Sequence, residues 1–212
     1  MTQESFNEAP DSALLERWRA GDAQAGNALF RRHFKALNRF FRNKVDEGVE
    51  DLLQNTFLAC VEGRDKFRGR SSFRTYLFAI ARYQLYAHFR KRGRAADFTT
   101  ASVVDMGSSP SRVVARKEEQ RVLLRALRSI PVDYQIALEL TYWEELKGHE
   151  LAEILDVPTN TIRSRVWRAR RALRRALEQQ RAPDAVRRST MSNIDEWARS
   201  LRAQLPQHGE RE

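Results

Sequence analysis

The sequence holds a single cysteine, Cys60, in 212 residues, which excludes an internal disulfide and fits a reducing compartment. Cys60 sits among Phe57, Leu58 and Val61, the setting of a small buried hydrophobe rather than a redox group. Histidines are equally sparse: His33, His88, His149 and His208 lie scattered, without metal-ligand spacing, so neither a metal nor a cofactor is expected. No apolar run approaches the roughly 18 residues of a membrane-spanning helix, so no membrane insertion is expected. The opening MTQESFNEAP lacks the basic start and apolar core of a signal peptide, and a cytoplasmic location is the expectation. Clustered carboxylates near the basic stretches and an activated nucleophile are also missing, so an enzyme is not expected. Acids are absent where that says most, between Thr159 and Ala176, in a chain with 38 Lys+Arg against 28 Asp+Glu. The resulting net charge of +10 favours a polyanionic partner, nucleic acid before a membrane surface.

What is there is organised around Gly148 to Leu177. Leu151, Ile154 and Leu155 fall at helical spacing, with the small Ala152 where another helix can cross closely. Asp156, Val157 and Pro158 then interrupt the pattern, and proline suits a first helical position but not a helix interior. A second helix starting beside Thr159 carries Ile162, Val166, Ala169 and Leu173 inward at steps of three and four. Arg163, Arg165, Arg168, Arg170, Arg171, Arg174 and Arg175 occupy its other face. Solvated helix faces usually alternate sign; this one does not, and its like charges repel unless a polyanion neutralises them. Helix, tight turn and basic second helix make a helix-turn-helix, whose second helix enters the DNA major groove. The turn position, usually glycine, is Asp156, which tolerates positive φ better than most residues.

The rest of the chain also reads as helix. Asp11 or Ser12 can cap a helix holding Leu14, Leu15 and Trp18, ended at Gly21, and Asp22 can cap the next. Leu29, Phe30, Phe34, Leu37, Phe40 and Phe41 make that second helix one wall of a helical core. After Gly48 a third helix points Leu52, Leu53, Phe57 and Val61 inward and shows Glu50, Asp51, Gln54 and Asn55 outward. An acidic patch on a basic DNA binder is either solvated or the place where a basic protein partner docks. From Arg64 the character changes: Lys66, Phe67, Arg68, Gly69, Arg70, Ser71, Ser72 and Phe73 interleave charge with aromatics ahead of a helix from about Arg74 to Arg92. That helix carries Tyr76, Phe78, Tyr83, Tyr86 and Phe89 among Arg74, Arg82, Arg90, Lys91 and Arg92. Cations follow a phosphate backbone and aromatics stack on exposed bases, so the mixture suits single-stranded or melted DNA better than duplex. Some rings belong to the core, beside Leu77, Ile80, Ala81 and Leu85.

The expected fold is therefore all-α. It comprises an N-terminal helical domain over 11–92, a flexible linker over 93–112, and a helix-turn-helix domain over 113–178. A C-terminal extension, 179–212, includes a short helix with Ile194, Trp197, Leu201 and Leu205 along one side, serving as a structural cap or a regulatory arm.

The stretch DLLQNTFLACVEGRDKFRGRSSFRTYLFAIAR, followed by a linker and a helix-turn-helix, resembles a bacterial RNA polymerase sigma factor. The small two-domain layout is similar to the extracytoplasmic-function (ECF) group of the sigma-seventy family. The resemblance implies a factor that brings core RNA polymerase to promoter DNA and initiates transcription, with an anti-sigma factor or other regulator as a further partner. It implies polymerase binding by Asp51, Leu52, Gln54, Asn55 and Phe57. Minus-ten recognition and melting fall to Lys66 through Arg74 (the loop Phe67 to Phe73 capturing a flipped base), with Tyr76, Tyr83 and Tyr86. Asn55 stands where the family often has an acid, and Tyr83 where it often has asparagine. Minus-thirty-five reading is implied for Thr159, Asn160, Thr161, Arg163, Ser164, Arg165, Trp167, Arg168 and Arg171. Arginine's planar fork suits both guanine O6/N7 and phosphate. A stand-alone helix-turn-helix regulator is the alternative, but it leaves 49–92 unexplained and needs a dimer seam that is not visible.

Overall fold

The computed structural model describes Phe6 and residues 8–92, 97–104 and 118–180. The expected tail helix around Trp197 and the linker residues 93–96 and 105–112 lie outside the described residues. Among the described residues eight helices follow in order: α1 Asp11–Arg19, α2 Ala23–Arg42, α3 Val49–Gly63, α4 Phe73–Lys91, α5 Glu118–Arg128, α6 Val132–Tyr142, α7 Gly148–Leu155 and α8 Thr159–Glu178. No strand occurs among the described residues, only one isolated bridge between Ser102 and Pro131.

The helix boundaries follow local chemistry. Asp22 caps α2, its Oδ1 accepting from the backbone N–H groups of Gln24 (3.0 Å) and Ala25 (3.2 Å). Asp11 does not cap α1: Pro10 holds that position, and the Asp11 carboxylate instead meets Arg32 at 2.6 Å and His33 at 2.7 Å. Gly48, at φ +79°, turns the chain into α3 in a conformation costly for any residue with a Cβ. Ser72 caps α4, its Oγ accepting from the N–H of Thr75 at 3.0 Å.

In the N-terminal half α1 lies on α2, α2 on α3 and α3 on α4; in the C-terminal half α8 packs against α5, α6 and α7. Leu14, Leu29, Leu37, Phe41, Leu77, Phe78, Leu85 and Phe89 are essentially inaccessible to water, each such burial being worth about 1.5–3 kcal/mol. Around α5 and α8 a second, smaller core holds Val122, Leu123, Leu127, Ile130, Trp143, Leu173 and Leu177.

The halves do not float on a tether. The first core continues from α4 into Ile136, Leu140, Leu151, Ile154 and Ile162, and α4 packs directly on α7. Residues 97–104, expected to be structureless, are docked in this junction. Phe98 stacks on Tyr86 with centroids 3.9 Å apart, Val103 is fully buried, and the N–H groups of Val132 and Asp133 donate to the carbonyls of Ala101 (3.0 Å) and Phe98 (3.1 Å).

Candidate DNA and polymerase interfaces

Helices α7 and α8 meet at Asp156, whose φ of 52° and ψ of 54° are the left-handed conformation the turn demands. Beneath the turn Leu151, Ile154, Leu155 and Ile162 are buried and fix the angle between the helices. Thr159, Asn160, Arg163, Trp167, Arg168 and Arg171 are exposed along the outer face of α8, while Thr161 and Ser164 are half-buried. Trp167 is 56% exposed, and the guanidinium of Arg171 sits 4.7 Å from its ring centroid. That pairing presents a flat apolar surface and a charge side by side. Arg165 departs from the expected outward set: it reaches back to Asp133 at 2.9 Å.

The loop between α3 and α4 is pinned at its base and open at its tip. Arg19 donates to the carbonyls of Arg64 and Phe67, and Phe67 stacks on Tyr76 at 4.6 Å. Gly69, at φ +66°, lets the chain reverse with open space where a Cβ would stand. Lys66, Arg68 and Arg70 project into solvent. The aromatics divide differently from the sequence expectation. Phe67, Phe73 and Tyr86 are buried, at 9%, 3% and 8% exposure, so none of the three is free to stack on a base in this arrangement. Tyr83 is free, at 65%, and Tyr76 is half-buried. The reason is packing: Phe73 lies beside His33 and Tyr86 lies against Phe98, each filling space where the helices meet. Burial, then the nearby Asp133 carboxylate, push the Tyr86 hydroxyl well above its ordinary range, so it stays protonated and donates to Asp133. Ser71 donates to Glu153 (2.6 Å), Ser72 to Glu150 (3.3 Å), and Arg74 to the carbonyl of Glu144 (2.6 Å) and to its carboxylate.

On α3, Asp51, Gln54 and Asn55 are exposed as expected, but Leu52 is buried at 3% and belongs to the core. Phe57 is half-buried between Phe30 (4.6 Å) and Phe34 (6.5 Å). Val61, expected inward, is 42% exposed, together with Phe34 at 42% and Leu58 at 53%. Sequence reasoning missed this apolar surface beside the acidic one. Its signal was a surplus: Phe57, Leu58 and Val61 give α3 more apolar residues than one inward stripe needs. Cys60 is fully buried and burial pushes its thiol up to about 12, far from reactivity. No group of three or more potential metal ligands gathers among the described residues, and none of the described helices is long and apolar enough to cross a membrane.

A helix-turn-helix with an arginine-covered outer helix, together with a second basic loop at the head of another helix, has the features of a helical DNA-binding protein. The comparisons carry this further. The sigma-70 region 2 family matches residues 29–95, and the sigma-70 region 4 family matches residues 120–173. The chain is 30% identical over 175 residues to the ECF RNA polymerase sigma-E factor of Escherichia coli, an alignment covering 77% of this chain and 92% of that relative. The sigma-E factor of Salmonella typhimurium gives the same figures: 30%, 77% and 92%. Among solved structures, the sigma factor RpoE of Bartonella quintana, in complex with the anti-sigma factor NepR, is similar with a TM-score of 0.52. It is 27% identical, covering 69% of this chain and 92% of that one. CnrH, in complex with the cytosolic domain of CnrY, shares the fold with a TM-score of 0.53 at 24% identity, covering 79% of this chain and 97% of that one. The chain belongs to the ECF group of the sigma-70 family.

Proposed function

We propose that this sigma factor divides promoter recognition between its two halves, with α8 reading duplex at the minus-thirty-five element and the loop before α4 engaging melted DNA at the minus-ten element. The observation that carries this division is the pairing of two unlike basic surfaces in one chain. One is a straight helix face with Arg163 and Arg168 exposed; the other is a glycine-hinged loop with Lys66, Arg68 and Arg70 at its tip and Tyr83 exposed on the helix behind it. A helix face fits a groove, whereas a cationic loop tip together with an exposed ring fits a strand whose bases have left the stack. A stand-alone regulator has use for the first surface only.

Core polymerase is proposed to dock on α3 and the adjoining part of α2, where Asp51, Gln54 and Asn55 border Phe34, Phe57, Leu58 and Val61. An exposed apolar patch rimmed by polar groups is a usual protein-binding surface. Catalysis then belongs to the polymerase, and the chain works in the cytoplasm without chemistry of its own. An anti-sigma factor or other regulator is a further proposed partner, as RpoE has NepR. Charge reversal at Asp51, combined with Gln54→Ala and Leu58→Ala, tests the docking surface. These exposed side chains should leave the melting temperature unchanged while co-purification with core polymerase falls. Undiminished co-purification would remove this patch from the interface.

A further inference from the structure

We propose that Arg19, the last residue of α1, is a positioning residue for strand opening: its guanidinium holds the base of the loop between α3 and α4, so that the cationic tip stays aimed at the melted strand. The role rests on that loop being the minus-ten element. It brings in a helix that had none, since the region 2 match begins at residue 29 and α1 lies before it.

Helix α3 ends at Gly63, so the carbonyls that follow cannot be satisfied by a continuing helix. Arg19, 45 residues earlier, takes up two of them. Its Nε (3.2 Å) and Nη2 (3.1 Å) both donate to the Arg64 carbonyl, and Nη2 also donates to the carbonyl of Phe67. One rigid planar fork thus ties together the turn from Arg64 to Phe67. The same guanidinium lies 5.8 Å from the Phe67 ring centroid, and that ring stacks on Tyr76 of α4. Tyr76 in turn sits over Gly63, where an added Cβ would collide with its hydroxyl. The base of the loop is therefore set between α1 and α4, while Arg68, Gly69 and Arg70 beyond it are exposed.

Helix α1 is anchored firmly enough for this. Trp18 is buried against Gly26 of α2, where a Cβ would stand 2.6 Å from its ring, and Asp11 holds Arg32 and His33 of the same helix. Core packing does not account for Arg19, which is half-buried and whose side-chain hydrogen bonds among the described residues all go to this loop. A loop that must capture a strand gains by being ordered beforehand, because ordering it on binding costs free energy.

The test uses holoenzyme assembled from core polymerase and full-length protein, on a duplex promoter fragment that the wild type transcribes. Opening is timed by the fluorescence of 2-aminopurine placed in the minus-ten element. The variants are Arg19→Met, Arg19→Lys, the pair Arg68→Ala with Arg70→Ala, and that pair combined with Arg19→Met. A loop left in place in about one molecule in ten predicts opening slowed about tenfold by Arg19→Met. Arg19→Lys keeps the charge without the fork and should recover only part of the rate. With the tip arginines already gone, Arg19→Met should cost less than about twofold more, whereas a merely structural loss would be the same in both backgrounds. The amides of Lys66 and Phe67, which donate to the Gly63 carbonyl at 3.0 and 3.1 Å, should exchange hydrogen faster in Arg19→Met, with α8 unchanged. Wild-type opening by either Arg19 variant, unchanged loop exchange, or an equal loss with and without the tip arginines would overturn the role of Arg19 and leave the minus-ten loop standing. Wild-type opening by the Arg68/Arg70 pair would overturn both. If Arg19→Met fails to fold by circular dichroism, Arg19→Lys is carried through the same comparison and decides.

Discussion

Replacing Glu139 by glutamine should destabilise this protein more than removing the lysine it pairs with. Glu139, on α6, is 3% exposed and Lys44, just beyond α2, is fully buried. The ammonium donates to the Glu139 carboxylate and to the carbonyl of Phe40 (2.9 Å), and it lies 3.9 Å from the Phe40 ring centroid. Burial pushes Lys44 down and Glu139 up, each against its charge, and their mutual attraction opposes both shifts. Around them the field is positive: Arg128 and Arg39 both disfavour the lysine's charge, while Arg39 favours the carboxylate's. Glu139→Gln keeps the side chain's shape and an acceptor for Gln135, now 2.7 Å from Oε1, so the perturbation is the charge itself. It strands an ammonium among two guanidinium groups. Breaking one side of such a buried pair costs about 3–5 kcal/mol. In a chain of this size each kcal/mol moves Tm by roughly 2–4 °C, so a fall of about 6–20 °C follows. Lys44→Met leaves Glu139 with Arg39 and fills the lysine's space, and should cost less. The double variant Lys44→Met/Glu139→Leu should recover most of the loss, because neither charge remains. Thermal melts followed by far-ultraviolet circular dichroism on all four proteins compare these losses. A Glu139→Gln protein within about 1 kcal/mol of wild type, or steadier than Lys44→Met, would refute the reasoning.

Other expectations follow from the same structure. Arg163→Ala and Arg168→Ala should each weaken promoter-duplex binding, by about 1–3 kcal/mol where a bidentate base contact is lost; wild-type binding and transcription by both would remove α8 from base reading. Arg68→Ala with Arg70→Ala should slow open-complex formation and be partly rescued on a pre-melted template, whereas equal defects on closed and melted templates would argue against a melting role. Asp156→Gly should raise stability by up to about 1 kcal/mol in chemical denaturation, since φ is 52° there and glycine carries no Cβ penalty; a loss would mean the aspartate side chain itself holds the turn. Burial pushes the Glu150 carboxyl up, but the Lys147 N–H and the hydroxyls of Thr75 and Ser72 outweigh it and leave its pKa lowered. A lowered carboxyl contributes stability above its ordinary range and loses it as pH falls through the shifted value. Wild-type Tm should therefore drop more steeply than that of Glu150→Gln between about pH 5 and pH 3.

How much of this was legible in the sequence depends on whether a residue's fate is settled locally. The stripe of Ile162, Val166, Ala169 and Leu173 announced α8 because helical spacing alone decides which way those side chains face. The cap at Asp22 and the left-handed turn at Asp156 were legible for the same reason, each being set by its own side chain and neighbours. Arg165, Phe67, Phe73 and Tyr86 were not. A ring in a basic-aromatic run has no period that says whether it meets a base or the core, and the answer came from Phe98, His33 and Asp133 on distant parts of the chain. Val61 turned outward and Leu52, inward by its spacing, was kept from the surface the resemblance gave it, because a helix as apolar as α3 has more candidate inward faces than its neighbours cover. The docking of the halves was the least accessible feature. Lys44 and Glu139 are 95 positions apart, and no local pattern pairs one lysine among many with one acid.

The most direct test of the central claim is run-off transcription with purified core RNA polymerase and a pool of promoter fragments, with and without this protein. Discrete transcripts should appear that require the chain, diminish when Arg163 and Arg168 are replaced together by alanine, and initiate from a limited set of fragments. Transcription unaffected by adding the protein, across a pool that its helix-turn-helix demonstrably binds, would contradict a sigma factor and leave only a DNA-binding regulator.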